Sequence, residues 1–141
     1  MTVNQILSKK GSEVFSVTST ITVYEAIKVM GEKNIGVVLI IEDGVLKGIL
    51  SERDYARKVV LKDKASKDTF VHEIMDTELI TIRLTDKIDD CMALMSTKKI
   101  RHLPVIDNDL VVGIISMGDV VKAIIEIQKT TIEHLDSYIS Q

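Results

Sequence analysis

Cys91 is the only cysteine in the 141 residues, so no internal disulfide and no cysteine-based zinc cluster can form. Tryptophan is absent, and the few aromatics (Phe15, Tyr24, Tyr55, Phe70 and Tyr138) are too scattered to make a base-stacking platform. The net charge of −3 and pI near 5.6 leave no dominant basic footprint, which excludes binding driven by counterion release from nucleic acid. No apolar run approaches the roughly 20 residues that span a bilayer, and the opening Met1-Thr-Val-Asn lacks the basic start and apolar stretch of a signal peptide. A cytoplasmic chain, bound neither to membrane nor to nucleic acid, is the expectation. Neither Gly-x-Gly-x-x-Gly nor Gly-x-x-x-x-Gly-Lys-Ser occurs, and His72, His102 and His134 have no metal-ligand spacing. No catalytic residue and no metal site is therefore assigned.

What the chain has is a second copy of itself. Displaced along its own sequence, Phe15 to Val60 lies on Ile80 to Ile125 without a gap, and apolar positions fall on apolar ones. Each copy alone is short for a core, whereas 45% hydrophobic residues suffice for the pair. Within a copy the periodicity changes in a fixed order. Phe15 to Val17 is a short extended piece, and Thr22-Val-Tyr-Glu25 has the form of a capping box. Val23, Ala26, Ile27 and Met30 make one apolar helical stripe, matched by Ile88, Cys91, Met92 and Met95. Cys91 is thus a core position rather than a nucleophile, and the methionines are core fillers. Val37 to Ile41 and Leu103 to Ile106 read as buried strands. The turns Glu42-Asp-Gly44 and Asp107-Asn-Asp109 lead to return strands that run into helices at Ser51 and Ser116. Each unit reads β-α-β-β-α.

The segment before each copy repeats as well, Val3-Asn-Gln-Ile-Leu7 against Val71-His-Glu-Ile-Met75. Lys62 to Asp68 is polar, without an apolar stripe, and reads as a linker. Val121, Ile125, Ile132, Leu135 and Ile139 keep a heptad-like spacing with no counterpart in the first copy, which calls for cover from the domain or from a second chain.

Leu103-Pro-Val-Ile-Asp107, together with the Gly-hydrophobic-x-Ser-x-x-Asp ends Gly48 to Asp54 and Gly113 to Asp119, resembles the CBS domain, the cystathionine-β-synthase-type repeat. Copy one departs from the pattern with Leu39 where that family often has proline. The resemblance implies an α/β (α+β) fold of two tandem β-α-β-β-α repeats packed with pseudo-two-fold symmetry, to which the heptad-like stripe adds a long C-terminal helix. Its layout is repeat one over residues 1–62, a linker over 63–70, repeat two over 71–125 and a helical extension over 126–141. It further implies a homodimer and clefts between the repeats that bind an adenosine-containing ligand: AMP, ADP, ATP or NAD(H).

The residues agree with that chemistry. Ser51 and Ser116 each follow a strand and open a helix, where free backbone N–H groups and the positive dipole end suit a phosphate. Asp54 and Asp119 fall in the first turn, placed to accept a ribose diol. The same Ser-x-x-Asp is equally a near capping box, worth about 1 kcal/mol to its helix alone. Arg101 and His102 stand before the Leu103-Pro104 strand, while their counterparts Gly36 and Val37 carry no charge, so the two sites are unequal. Arg101 suits a phosphate, or else a surface ion pair with Asp107 or Asp109. Arg53 gives the first copy its own cation. With Ile80, at the start of the second copy, these residues complete the ligand-binding set that the resemblance implies. Three functions stay open: a stand-alone adenylate sensor that regulates an unknown protein partner in trans, a structural or protein-interaction dimer module, and an enzyme acting on a nucleotide.

Overall fold

A computed structural model of the chain describes residues Met1 to Ser140. Helix α1 (Val3–Lys10) leads into β1 (Ser16–Val17), α2 (Val23–Lys33), β2 (Val37–Glu42), β3 (Val45–Ser51) and α3 (Glu52–Lys58). After a 3-10 turn at Val60–Lys62 come α4 (Val71–Ile74), α5 (Ile88–Lys98), β4 (His102–Asp107), β5 (Leu110–Ser116) and α6 (Met117–Ile139). Strand β2 pairs with β1 in parallel and with β3 antiparallel, with a bulge between Ile40 and Ile41. In the second copy a single parallel bridge from Ile82 to Val105 takes the place of β1. Both hairpins close with two residues at positive φ, Asp43 and Gly44 in one, Asn108 and Asp109 in the other. That conformation matches the twist of paired strands, and Asp, Asn and Gly tolerate it best.

The helix stripes are buried as their spacing requires, with one exception. Val23, Ala26 and Met30 sit in the core of their unit, as do Ile88, Cys91 and Met95 in theirs. Met92 is 39% exposed, so it is no core filler: one turn of helix buries a narrower arc than its apolar sequence suggested. The polar stretch after Lys62 is ordered in a definite way. The amides of Val23 and Tyr24 donate to the carbonyls of Thr69 and Ser66, and Thr22 Oγ1 accepts from Glu25, so this stretch closes the start of α2. In α5 the cap residue, Lys87, makes no side-chain cap, and the Ile88 amide donates to the Met1 carbonyl instead.

The two compact units of the molecule do not follow chain order. One comprises Met1–Ser12, Thr81–Ile106 and the chain from Gly113 onward; the other comprises Glu13–Ile80 and Asp107–Val112. The helix preceding each copy is therefore exchanged, α1 serving the second copy and α4 the first. Glycine makes both placements possible. A Cβ on Gly48 would lie 2.7 Å from Met75 Sδ and 3.1 Å from the Asp76 carbonyl oxygen, and one on Gly113 would lie 2.8 Å from both terminal carbons of Leu7. Leu7 and Met75 are the equivalent residues of the two leading segments, so the same close approach is built twice.

Helix α6 runs 23 residues, and only Val120 and Ala123 are buried on it. Ile125, Ile132, Leu135 and Ile139 are exposed, so the heptad-like stripe is not covered by its own chain. No helix among the described residues is long and apolar enough to cross a membrane.

The close approach predicts a coupled pair of substitutions. Gly113→Ala should lower unfolding free energy by about 1–3 kcal/mol through overpacking. Leu7→Ala, destabilising alone, should cost less in the Gly113→Ala background, a coupling that urea denaturation of the four proteins measures. Strict additivity would show that Leu7 does not limit the space at Gly113.

Candidate functional site

Each return strand ends at a serine in extended conformation that begins a helix, and the serine and the aspartate of the first turn cap each other. Ser51 Oγ accepts from the Asp54 amide at 3.1 Å, while Asp54 Oδ2 accepts from the Ser51 amide at 2.9 Å and from its hydroxyl at 3.0 Å. Ser116 Oγ accepts from the Asp119 amide at 3.1 Å, and Asp119 Oδ2 accepts from the Ser116 amide at 2.8 Å. The first amide of each helix is also used: Glu52 N–H donates to the Gly36 carbonyl at 3.0 Å and Met117 N–H to the Arg101 carbonyl at 2.8 Å. The expected row of free N–H groups is thus mostly consumed, because serine and aspartate satisfy the helix themselves. Among the described residues, the amides of Arg53 and Gly118 are the first-turn donors left without a partner.

The backbone bonds bring the candidate residues together in two groups. In one unit Gly36, Val37, Ser51, Arg53 and Asp54 are neighbours, Val37 pairing with Ser51 in the sheet register. In the other, Arg101, His102, Ser116 and Asp119 gather. Ile80 is half-buried between α4 and α5, outside any helix or strand, and makes none of these hydrogen bonds. Arg53 and Arg101 are exposed, and neither pairs with a carboxylate among the described residues, so the alternative pairing of Arg101 with Asp107 or Asp109 does not form.

Two lysines that the motif reading did not assign to the site complete it. Lys58 Nζ lies 3.4 Å from Asp54 Oδ1 and donates to the Ile74 carbonyl at 3.0 Å. Lys10 Nζ lies 2.7 Å from Asp119 Oδ2 and donates to the Ile114 carbonyl at 2.8 Å. In both units an ammonium ties the aspartate end to the exchanged leading helix, but from opposite sides: Lys58 is on α3 and reaches the end of α4, while Lys10 is on α1 and reaches α6. Lys58 was visible one turn after Asp54 as an i,i+4 pair. Nothing local signalled Lys10, which lies far from Asp119 in sequence.

The electrostatics of the second group follow from these contacts. Burial alone would raise the Asp119 carboxyl, but hydrogen bonds from Lys10 and the Ser116 amide, with the Lys10 charge, outweigh it and hold the group below its usual value of 3.8. His102 is held below 6.5, first by burial and then by the charges of Lys10 and Arg101, with Asp119 acting in the opposite sense. A neutral imidazole, an ionised carboxylate and two cations therefore share one place. Such a set can accept a diol on the carboxylate and meet an anion with the guanidinium. Cys91 has no comparable role: burial, then Asp86 and Asp90, push its thiol up to about 11, far from a reactive thiolate. No cluster of His, Cys, Asp or Glu among the described residues is arranged to hold a metal.

The chain is similar to known proteins over most of its length. The CBS domain family matches residues 3–61 and 71–126. The mitochondrial CBS domain-containing protein CBSX3 of Arabidopsis thaliana is 35% identical over 147 aligned positions, covering 98% of this chain and 71% of its own. A protein with CBS domains from Burkholderia ambifaria has a structure that matches with a TM-score of 0.87 at 46% identity, over 89% of this chain and 95% of that one. The CBS domain pair of protein MJ0100, crystallised with 5′-methylthioadenosine and S-adenosyl-L-methionine, matches with a TM-score of 0.77 at 28% identity, over 88% and 95% of the respective chains.

The depressed groups set a pH dependence. Because folding lowers the His102 pKa, the unfolded chain takes up the proton first; the stability is full above the unfolded value of about 6.5 and declines as pH falls toward the folded value. The Asp119 contribution is present above about 4 and is lost as pH falls through its own lower folded value. Urea midpoints should therefore drop between pH 7 and 5.5 in the wild type and less in His102→Gln, whereas Asp119→Asn should flatten the curve only below about pH 4. Equal slopes for wild type and His102→Gln above pH 5.5 would contradict the burial of a neutral ring.

Proposed function

The chain belongs to the CBS domain family, and we propose that it is a regulatory module that takes an adenosine-containing ligand at its two Ser-x-x-Asp helix starts. The observation that carries this reading is the duplicated joint itself: a serine, an aspartate that caps with it and an unpartnered amide, built the same way at Ser51 and at Ser116, with an exposed arginine supplied from α3 in one (Arg53) and from the residue before β4 in the other (Arg101). The complex of the MJ0100 pair with 5′-methylthioadenosine and S-adenosyl-L-methionine supports the ligand class. In this reading Asp54 and Asp119 accept the ribose hydroxyls. Arg53 and Arg101, with the free amides of Arg53 and Gly118, meet whatever anionic group the ligand bears. AMP, ADP, ATP, NAD(H) and S-adenosylmethionine all satisfy that description.

CBS-domain pairs generally regulate rather than catalyse, and we assign this chain no reaction. Its output would be a change in how it docks on a partner protein in trans, driven by a ligand that binds one shape better than another. We further propose a homodimer with the exposed stripe of α6 in its interface, since Ile125, Ile132, Leu135 and Ile139 are each more than half exposed, at 58%, 59%, 55% and 78%. That same stripe favours a second reading, an interaction module in which the Ser-x-x-Asp pairs are only helix caps.

Calorimetric titration separates the two. AMP, ATP or NADH should bind to two unequal sites, and a ligand at about 100 times its dissociation constant should add about 2.7 kcal/mol to stability. Asp54→Asn and Asp119→Asn should each weaken one site about tenfold, the loss of a charge-assisted hydrogen bond worth about 1.5 kcal/mol. No heat and no melting shift with any adenosine compound at millimolar concentration would leave the interaction module as the better account.

A further inference from the structure

The two aspartates are fastened differently. Asp119 Oδ2 already accepts the Ser116 amide at 2.8 Å, and the Lys10 ammonium occupies the same oxygen at 2.7 Å. Asp54 Oδ2 is used by Ser51 alone, and its lysine stands at 3.4 Å on the other oxygen. Lys10 is also anchored by the Ile114 carbonyl, and the pair is partly exposed, with side-chain exposures of 31% for Lys10 and 22% for Asp119. A vicinal diol engages both oxygens of a carboxylate, so a ligand at Asp119 must take a place that Lys10 holds. The neighbouring pair, Lys9 with Glu126 at 3.2 Å, is exposed at 64% and 43% and fastens little by comparison. Lys10 is consequently the principal ionic link between the end of α1 and the start of α6.

Resting on the ligand reading above, we propose that Lys10 is a latch on the second helix start. Its hold on Asp119 must be displaced before a diol can bind there, so the Ser51–Asp54 start fills first, and a ligand that opens the Ser116–Asp119 start frees the end of α1 from α6. The latch converts occupancy of the second start into release of a helix whose last residue lies one position before Gly11, at a φ of 96° that favours glycine. Lys58 cannot do the same for Asp54, because it sits on the helix that bears that aspartate and its contact is longer.

The test is AMP titration of the full chain, wild type against Lys10→Met and Lys10→Gln, with Lys9→Met as the control. Removing the latch should tighten the weaker site about two- to fivefold, the range of a partly exposed ion pair, and should leave the tighter site and the Lys9→Met protein unchanged. Hydrogen exchange at the last turn of α1 should quicken in Lys10→Met without ligand, and in the wild type when AMP is added. Wild-type binding with a weaker site that is unchanged or further weakened in both Lys10 variants overturns the latch alone, the second result making Lys10 a ligand contact. Failure of the wild type to bind AMP or S-adenosylmethionine overturns the ligand reading, and the latch with it.

Discussion

A Cβ would come within 2.7 Å of Met75 Sδ at Gly48 and within 2.8 Å of the Leu7 terminal carbons at Gly113, and this close approach lies beside both helix starts. With the glycines in place, Met75 and Leu7 come into contact with the return strands, and the exchanged leading helices settle beside the strand ends. There the Ile74 carbonyl meets Lys58, and Lys10 reaches Asp119. A methyl group at Gly48 would press on the Asp76 carbonyl as well as on Met75, and one at Gly113 would force the end of Leu7 to move, so packing in the strand bears on the electrostatic arrangement at its end. The antiparallel bridge between Ile49 and Asp76, one residue beyond Gly48, holds the same approach from the backbone side.

Duplication gives two joints with the same backbone and different charges. Gly36 and Arg101 present equivalent carbonyls to the first amide of the following helix, yet only Arg101 adds a cation, and only His102 adds a titratable ring beside it. The capping role and the proposed binding role fall on the same aspartate. Its hydrogen bonds to serine stabilise the helix by about 1 kcal/mol, and they also fix the carboxylate at the strand end with one oxygen turned toward its own backbone. A ligand at such a site finds the carboxylate oriented in advance, which reduces the cost of ordering it on binding.

Much of this was legible in the sequence because it is local. The 3.6-residue stripes, the two-residue turns Asp43-Gly44 and Asn108-Asp109, and the Ser-x-x-Asp starts each depend on residues within a few positions, and each lies where its pattern puts it. Long-range features were hidden. Nothing in Val3 to Lys10 says that this helix belongs with Gly113 to Ser116, and nothing in Ser66 or Thr69 marks a carbonyl that closes α2. Exposure of Met92 was hidden for a related reason, since the width of a buried arc is set by what packs on it. The free amides expected at Ser51 and Ser116 were overcounted because the Ser-x-x-Asp motif caps its own helix.

The central claim is that these joints bind a ligand as well as cap a helix, and amide chemical shifts of the full chain titrated with AMP test it most directly. The account predicts the largest shifts at Arg53 and Gly118, the unpartnered first-turn amides, with accompanying shifts at Asp54 and Asp119. Shifts confined to α6 beyond Glu126, with both helix starts unmoved, would contradict it.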